Sequence, residues 1–381
     1  MKLCMVAPYP RDKDTLKGGV QAVVFYLLQE LTKIQDLDIH IISCDLDTAT
    51  SYCETQGKMT IHRISAMKKF GNITLGYFDR RAIRVKILEI APDIVHFQTS
   101  TLCLGSNQLN GIPVVVTIHG IKVNEIKLLR GIRNAIRFYP TLANEMRSWK
   151  SIEHLICISS HVQTMVQSFA RNVKCYPIAN PVSDEFFHVQ SRECEDRKII
   201  LCVGFINRIK NSNGLLEALT IVKNRLNDVE LVFAGDVQDQ GYFQLMNKNI
   251  RENNLESNVI FKGHLNEDAL LREYARCSLV VLFSDAENSP MAIQQAMAAG
   301  KAVVASRVGG VPHLVHNNET GYLVDRGDIS SLAEKIVDLL QDDKKRRQFG
   351  TNAKVEALNR FQAKEVALKT YNLYKRIIDE Q

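Results

Sequence analysis

Glu287 lies in a polar loop, Ser284-Asp285-Ala286-Glu287-Asn288-Ser289, between two runs of different character. The apolar run 278–282 before it reads as a buried strand. The run 291–299 after it, rich in Ala, Met and Gln, reads as a helix. Pro290 suits the first helical turn, where a missing N–H costs nothing. Gly300 suits the left-handed cap at the helix end. Residues 301–306 form another apolar strand, and Gly309-Gly310 opens the next turn. A strand–loop–helix unit of this kind aims unpaired backbone N–H groups beyond the strand end, which makes an anion site. An acid just before it can accept hydrogen bonds from hydroxyls. A phosphate beside a polyhydroxyl group describes a nucleotide-sugar.

Other candidates stand at similar positions. Gly18-Gly19 follows the first strand, 3–7, and precedes a helical pattern, so a backbone there can approach an anion closely. His119 ends the strand 114–118 and is followed by Gly120. Lys210 stands at a helix start, where a cation opposes the dipole and needs a reason. Arg208 is two residues before it. Asp236 and Asp239, spaced D-x-x-D, do not read as a metal pair. The nine scattered cysteines form no CxxC. They read as reduced core residues of a cytosolic protein.

The run from Glu287 resembles the retaining glycosyltransferases of family 4. These carry E-x7-E, then E-A-M-A-x-G-x-P-V-V-A and a G-G turn. Here Glu287 is followed after seven residues by Gln295, then Ala296-Met297-Ala298-Ala299-Gly300, Val303-Val304-Ala305 and Gly309-Gly310. Val203-Gly204-Phe205-Ile206-Asn207-Arg208-Ile209-Lys210-Asn211 resembles the family's V-G-R-L-x-x-x-K-G turn, with Phe205 in place of the arginine. The resemblance implies a GT-B fold: two Rossmann-like, doubly wound α/β domains facing across a cleft that holds the donor. It implies a metal-independent hexosyltransferase with no cofactor, only a UDP- or GDP-linked sugar as co-substrate. Glu287 and His119 would be the catalytic residues and would orient the donor sugar together with Asn288 and Ser289. Lys210, Arg208, Gly18, Gly19 and the N–H groups of Met291 and Ala292 would hold the phosphates. Gln295 falls where the family has the glutamate that holds the ribose. The base would be read near Gly263, His264 and Leu265. Gln295 and Phe205 keep a second reading open, a catalytically silent protein of the same fold that binds a nucleotide-sugar or a partner enzyme. An NAD-dependent Rossmann enzyme is disfavoured, because G-x-G-x-x-G is missing.

These residues need strands and helices to hold them. Strand patterns recur at 38–43, 60–64, 93–97, 113–118, 154–158 and 174–178, with helical patterns at 80–90 and 160–169 between them. A second series has strands at 199–203, 230–233, 259–261, 278–282, 302–305 and 321–324. Its helices are expected at 212–223, 242–253, 267–274, 291–299 and 330–340. Such alternation predicts parallel sheets covered on both faces. The polar run 182–197 reads as a linker. The domains are then 1–181, with an amphipathic last helix at 363–381 returning to it, and 198–362.

The N-terminal run MKLCMVAPYP reads as a strand rather than a signal peptide. No stretch approaches the ~18 apolar residues that span a bilayer. Charge is uneven: residues 51–150 hold 15 Lys and Arg against 6 Asp and Glu. Residues 121–150 place Lys122, Lys127, Arg130, Arg133, Arg137, Arg147 and Lys150 near an apolar stripe. With the cations of 67–86 they suggest peripheral contact with an anionic cytoplasmic membrane leaflet. The expected acceptor is a glycan or lipid-linked sugar of cell-surface synthesis, with no role for nucleic acid.

Overall fold

The computed structural model describes residues 1–12, 14, 16–45, 50–65, 77–99, 102–120, 143, 145–170, 172–192 and 197–381. Lys13, the basic stretch 67–70 and the cations between 122 and 137 lie outside the described residues. The structure therefore carries no statement on the expected membrane-facing helix. The chain forms two compact units. One holds residues 1–11, 20–181 and 363–381, the other 12–19 and 182–362.

The first unit is built on an eight-stranded sheet. Its strands are β1 (Lys2–Val6), β2 (Asp38–Asp45), β3 (Tyr52–Gln56), β4 (Met59–Ser65), β5 (Ile94–Phe97), β6 (Val114–Thr117), β7 (His154–Cys157) and β8 (Lys174–Pro177), in the order β3-β4-β2-β1-β5-β6-β7-β8. All neighbours are parallel except β3 and β4. β1, β5 and β6 are buried on both faces, which is why they read as unbroken apolar runs. β3 was not expected from the sequence. It is a short exposed edge strand, Tyr-Cys-Glu-Thr-Gln, turned back onto β4 at Gly57, and it lacks an apolar alternation.

The second unit has six parallel strands: β9 (Lys198–Val203), β10 (Val229–Ala234), β11 (Val259–Phe261), β12 (Leu279–Leu282), β13 (Ala302–Ser306) and β14 (Gly321–Val324). They run in the order β11-β10-β9-β12-β13-β14. The order reverses at β9, with β10 on one side and β12 on the other. In open α/β sheets ligands bind beyond the strand C-termini at such a switch point. The loops after β9 and β12 carry Lys210 and Glu287.

Residues 182–192 of the expected linker pack with the second unit. Val182 N–H bonds to Phe361 O at 2.8 Å, and Phe186 and Phe187 are buried. Buried Lys301 donates to Ser191 Oγ at 2.8 Å. Apolar and bonded residues within a polar stretch thus belong to the second unit. The helix Asp343–Arg360 also went unread. Its sequence is highly charged, and its buried face is Arg346, Phe349, Gly350, Ala353 and Ala357, too small a set to show as a stripe. Methyl groups on several glycines would meet backbone: at Gly350, for example, one would lie 2.0 Å from Gly300 O.

The last helix, Ala363–Asp379, belongs to the first unit. It buries Val366, Ala367, Leu373, Tyr374 and Ile377 there.

Candidate active site

In the second unit, the ends of β9, β10 and β11 turn on glycines held in conformations that other residues avoid. Gly204, Gly235 and Gly263 have φ of 146°, 152° and 62°. Gly204 N–H bonds to Ala234 O at 2.9 Å, and Gly235 N–H to Gly263 O at 2.8 Å. A methyl group on Gly235 would lie 2.1 Å from Gly204 O. The turns are therefore stacked, and Gly263, His264 and Leu265 lie in the third of them. Asn266 follows and caps the next helix by accepting from Ala269 N–H at 3.0 Å.

After Gly204 the chain runs to Asn211, which is left-handed at φ 48° and caps the helix Ser212–Lys223. Asparagine tolerates that conformation. Lys210 stands between, its N–H held by Asn207 Oδ1 at 3.0 Å. Lys210 Nζ donates to Glu287 Oε1 at 2.5 Å, and Ser284 Oγ donates to the same oxygen at 2.7 Å. Asp285 N–H bonds to Ile209 O at 2.7 Å, so the two loops are also joined through backbone. The ion pair is mostly sheltered, with the Lys210 and Glu287 side chains 23% and 10% exposed. The carboxylate offsets the cation that a helix start would otherwise disfavour.

Gly309 and Gly310 brace Glu287 from behind. Gly310 N–H donates to Glu287 O at 3.0 Å. A methyl group on Gly309 would lie 1.8 Å from that oxygen. Pro290 precedes the helix Met291–Ala298 as its cap residue, with extended ψ of 122°, rather than standing in the first turn. Ile293 N–H returns to Pro290 O at 3.2 Å. The N–H groups of Met291 and Ala292 stand ahead of any intrahelical acceptor. Gly300 closes the turn after this helix at φ 68°, as its sequence position implied.

Gln295 is buried, and Tyr274 Oη shares its one proton between Ala292 O at 3.0 Å and Gln295 Oε1 at 3.3 Å. Its carbonyl is thus engaged within the protein. Arg208 pairs with Asp239 at 3.2 Å and lies over the Tyr242 ring at 5.4 Å, which occupies part of its charge. Phe205 packs on Gly18 and Met291 on Gly19: a methyl group on Gly18 would lie 3.0 Å from the Phe205 ring, and one on Gly19 3.2 Å from the Met291 side chain. Two supporting residues escaped sequence reasoning. Ser284 holds Glu287, and buried Gln294 donates to Ser289 Oγ at 2.8 Å. Both look like ordinary polar residues in one dimension.

In the first unit His119 follows β6 and Gln98 follows β5. These strands are parallel neighbours, so their ends meet. His119 Nε2 lies 2.7 Å from Gln98 Oε1. Burial pushes the His119 pKa down to about 4. His96, read from the sequence as structural, lies beside Gln98 and bonds to Thr117 and Tyr374. Burial, with a smaller contribution from His119, pushes it down to about 3. Both imidazoles are neutral at pH 7. Among the described residues no three His, Cys, Asp or Glu side chains gather as a metal site would require.

Each unit is Rossmann-like, and the second carries a lysine–glutamate pair at its switch point. Residues 183–356 match the family described as Glycosyl transferases group 1, and residues 17–186 match Glycosyltransferase Family 4. The chain belongs to these family 4, group 1 glycosyltransferases. It is 25% identical over 369 residues to an uncharacterized glycosyltransferase of Methanocaldococcus jannaschii, covering 95% of each chain. It is 21% identical over 377 residues to the capsular polysaccharide biosynthesis glycosyltransferase CapM of Staphylococcus aureus, covering 92% of this chain and 93% of CapM. Among solved structures, sucrose-phosphate synthase from Thermosynechococcus elongatus superposes with a TM-score of 0.87 at 19% identity over 100% of both chains. Anabaena HepE in complex with UDP-glucose gives 0.74 at 20% identity over 98% of this chain and 100% of HepE. The fold is GT-B.

Proposed function

We propose that this glycosyltransferase moves a hexose from a nucleoside diphosphate sugar to an acceptor with retention at the anomeric carbon. The observation that carries the reading is the Lys210–Glu287 pair beside the N-terminus of the helix Met291–Ala298. A cation and unpaired N–H groups suit a diphosphate, and the carboxylate suits sugar hydroxyls. The UDP-glucose seen with HepE supports a nucleotide-sugar donor, and the capsular polysaccharide biosynthesis of CapM supports an acceptor in cell-surface polysaccharide synthesis. Lys210 and the helix N-terminus would stabilise the leaving diphosphate without a metal ion. In the same-face substitution, a leaving phosphate oxygen helps to take the acceptor proton. Glu287 and His119 orient the donor sugar.

A thermal-shift screen against UDP-, GDP- and ADP-sugars tests the donor class. A ligand at about a hundred times its dissociation constant adds about 2.7 kcal/mol. No stabilisation by any of them would sink the reading. Transfer should persist in EDTA, and activity lost there but restored by magnesium or manganese would contradict metal independence. The engagement of Gln295 by Tyr274 favours a second reading, a silent nucleotide-sugar binder. Stabilisation by a donor with neither transfer nor donor hydrolysis would select it.

A further inference from the structure

Behind His119 runs a buried chain of polar side chains that the reaction does not itself require. His119 Nε2 meets Gln98 Oε1 at 2.7 Å. The other end of that amide, Gln98 Nε2, lies 3.4 Å from His96 Nε2. Thr117 Oγ1 approaches the same imidazole nitrogen at 2.8 Å. His96 Nδ1 lies 2.5 Å from Tyr374 Oη, a residue of the last helix. Gln98, His96, Thr117 and Tyr374 are all buried, none more than 4% exposed. Polar groups are costly in such a place unless each is paired, and apolar residues would fill it more cheaply.

The donor and acceptor roles along the chain are tied together. A carboxamide has an oxygen that only accepts and a nitrogen that only donates. The Gln98 oxygen faces His119 Nε2, so that nitrogen carries the proton. The Gln98 nitrogen faces His96 Nε2, so that nitrogen is bare, and its one lone pair is shared between the Gln98 N–H at 3.4 Å and the nearer Thr117 hydroxyl at 2.8 Å. The single proton of neutral His96 then sits on Nδ1 and is donated to the Tyr374 oxygen. Both rings stay uncharged at pH 7, so the remaining freedom is which nitrogen bears the proton.

We propose that Tyr374, His96 and Gln98 are positioning residues that fix the tautomer of His119, protonated at Nε2 with Nδ1 as the acceptor. The catalytic meaning rests on the reading above that His119 orients the donor sugar: the nitrogen that carries the proton decides where the ring can donate and where it can accept. Without the Tyr374 oxygen, the His96 proton would face no partner at Nδ1 and would move to Nε2, toward Thr117. The Gln98 amide would then turn over to avoid two facing donors. Its NH₂ would face His119 Nε2, and the His119 proton would shift to Nδ1.

The test is long-range proton–nitrogen NMR of the full chain labelled with ¹⁵N-histidine, at pH 7.5. The His119 signals are assigned by their loss in His119→Asn. Parent protein should show Nε2 protonated. Tyr374→Phe should move His119 toward Nδ1 protonation and lower kcat by about tenfold, the worth of one hydrogen bond, while donor KM changes little. Tyr371→Phe removes another hydroxyl of the same helix, one that donates to Asp36, and should leave spectrum and kcat unchanged. Gln98→Glu has acceptors at both ends, so it should move the His96 proton to Nε2 and keep that of His119, which tests the chain even if Tyr374→Phe folds poorly. His119 protonated at Nδ1 in the parent, or unmoved in a folded Tyr374→Phe, overturns the proposal. Full activity in His119→Ala would instead remove the sugar-orienting role and leave the tautomer result standing.

Discussion

Lys210 and Glu287 were read from the sequence as separate tools, one for phosphate and one for sugar. In the structure they are bonded to each other. A distance of 77 positions in the chain hides that contact, although their places at strand ends were legible. The pairing changes what a substitution does. Lys210→Ala should weaken nucleoside diphosphate binding by about ten- to a hundredfold, the worth of a charge-assisted hydrogen bond of roughly 1.5–3 kcal/mol. It should also lower transfer beyond that loss, because it releases Glu287. Titration calorimetry with the diphosphate and with the free nucleoside checks this, and equal affinities of variant and parent would reduce Lys210 to a helix cap.

His96 makes a second prediction at this scale. Its folded pKa of about 3 lies below the ordinary value of 6.5, so the unfolded chain binds the extra proton between the two. Stability from His96 is therefore complete above pH 6.5 and declines as pH falls toward 3. The slope is up to about 1.4 kcal/mol per pH unit. Urea midpoints measured from pH 7.5 to 4.5 should show a steeper acid limb in the parent than in His96→Gln. His96 was unreadable as anything but a core residue, because its partners Thr117 and Tyr374 come from two other elements. His119, by contrast, stood out by its place at a strand end.

At the scale of elements, the apolar strands were legible because burial on both faces leaves mostly apolar residues, Val, Ile and Leu foremost. The glycine turns were legible as punctuation. The partner of each turn was not, since only close approach reveals it. Gly309 is the clearest case, with the Glu287 carbonyl where a side chain would begin. Gly309→Ala should displace the loop 284–289 and cut kcat/KM for transfer, with a smaller loss of thermal stability than a buried-core truncation brings. Kinetics beside a melting curve would check it, and parental kinetics in a folded variant would show the turn to be yielding. β3 and the helix Asp343–Arg360 were missed for the opposite reason, as neither carries an apolar stripe.

For the whole molecule, charge is the property that sequence reports best. The basic excess in 51–150 should give sedimentation with anionic liposomes that rises with anionic lipid content and falls with salt. No binding at low salt would favour an acceptor in solution. Among the described residues no helix is long and apolar enough to cross a membrane.

The order in which the units close has a consequence during synthesis. The first unit's strands end at Pro177, yet its last helix follows the whole second unit. At about 5–20 residues per second, a ribosome needs about nine seconds or more to cross the intervening stretch. Throughout that time the apolar surface destined for Val366, Leu373 and Ile377 waits uncovered, and His96 waits for Tyr374. The second unit, though made later, needs nothing beyond Gln362 and so should mature first. Arrested chains in which an unrelated linker of exit-tunnel length follows residue 362 should yield a protease-resistant fragment from 182–362 and digestible first-unit sequence. Extending the arrested chain beyond residue 381 by an exit-tunnel length should protect both.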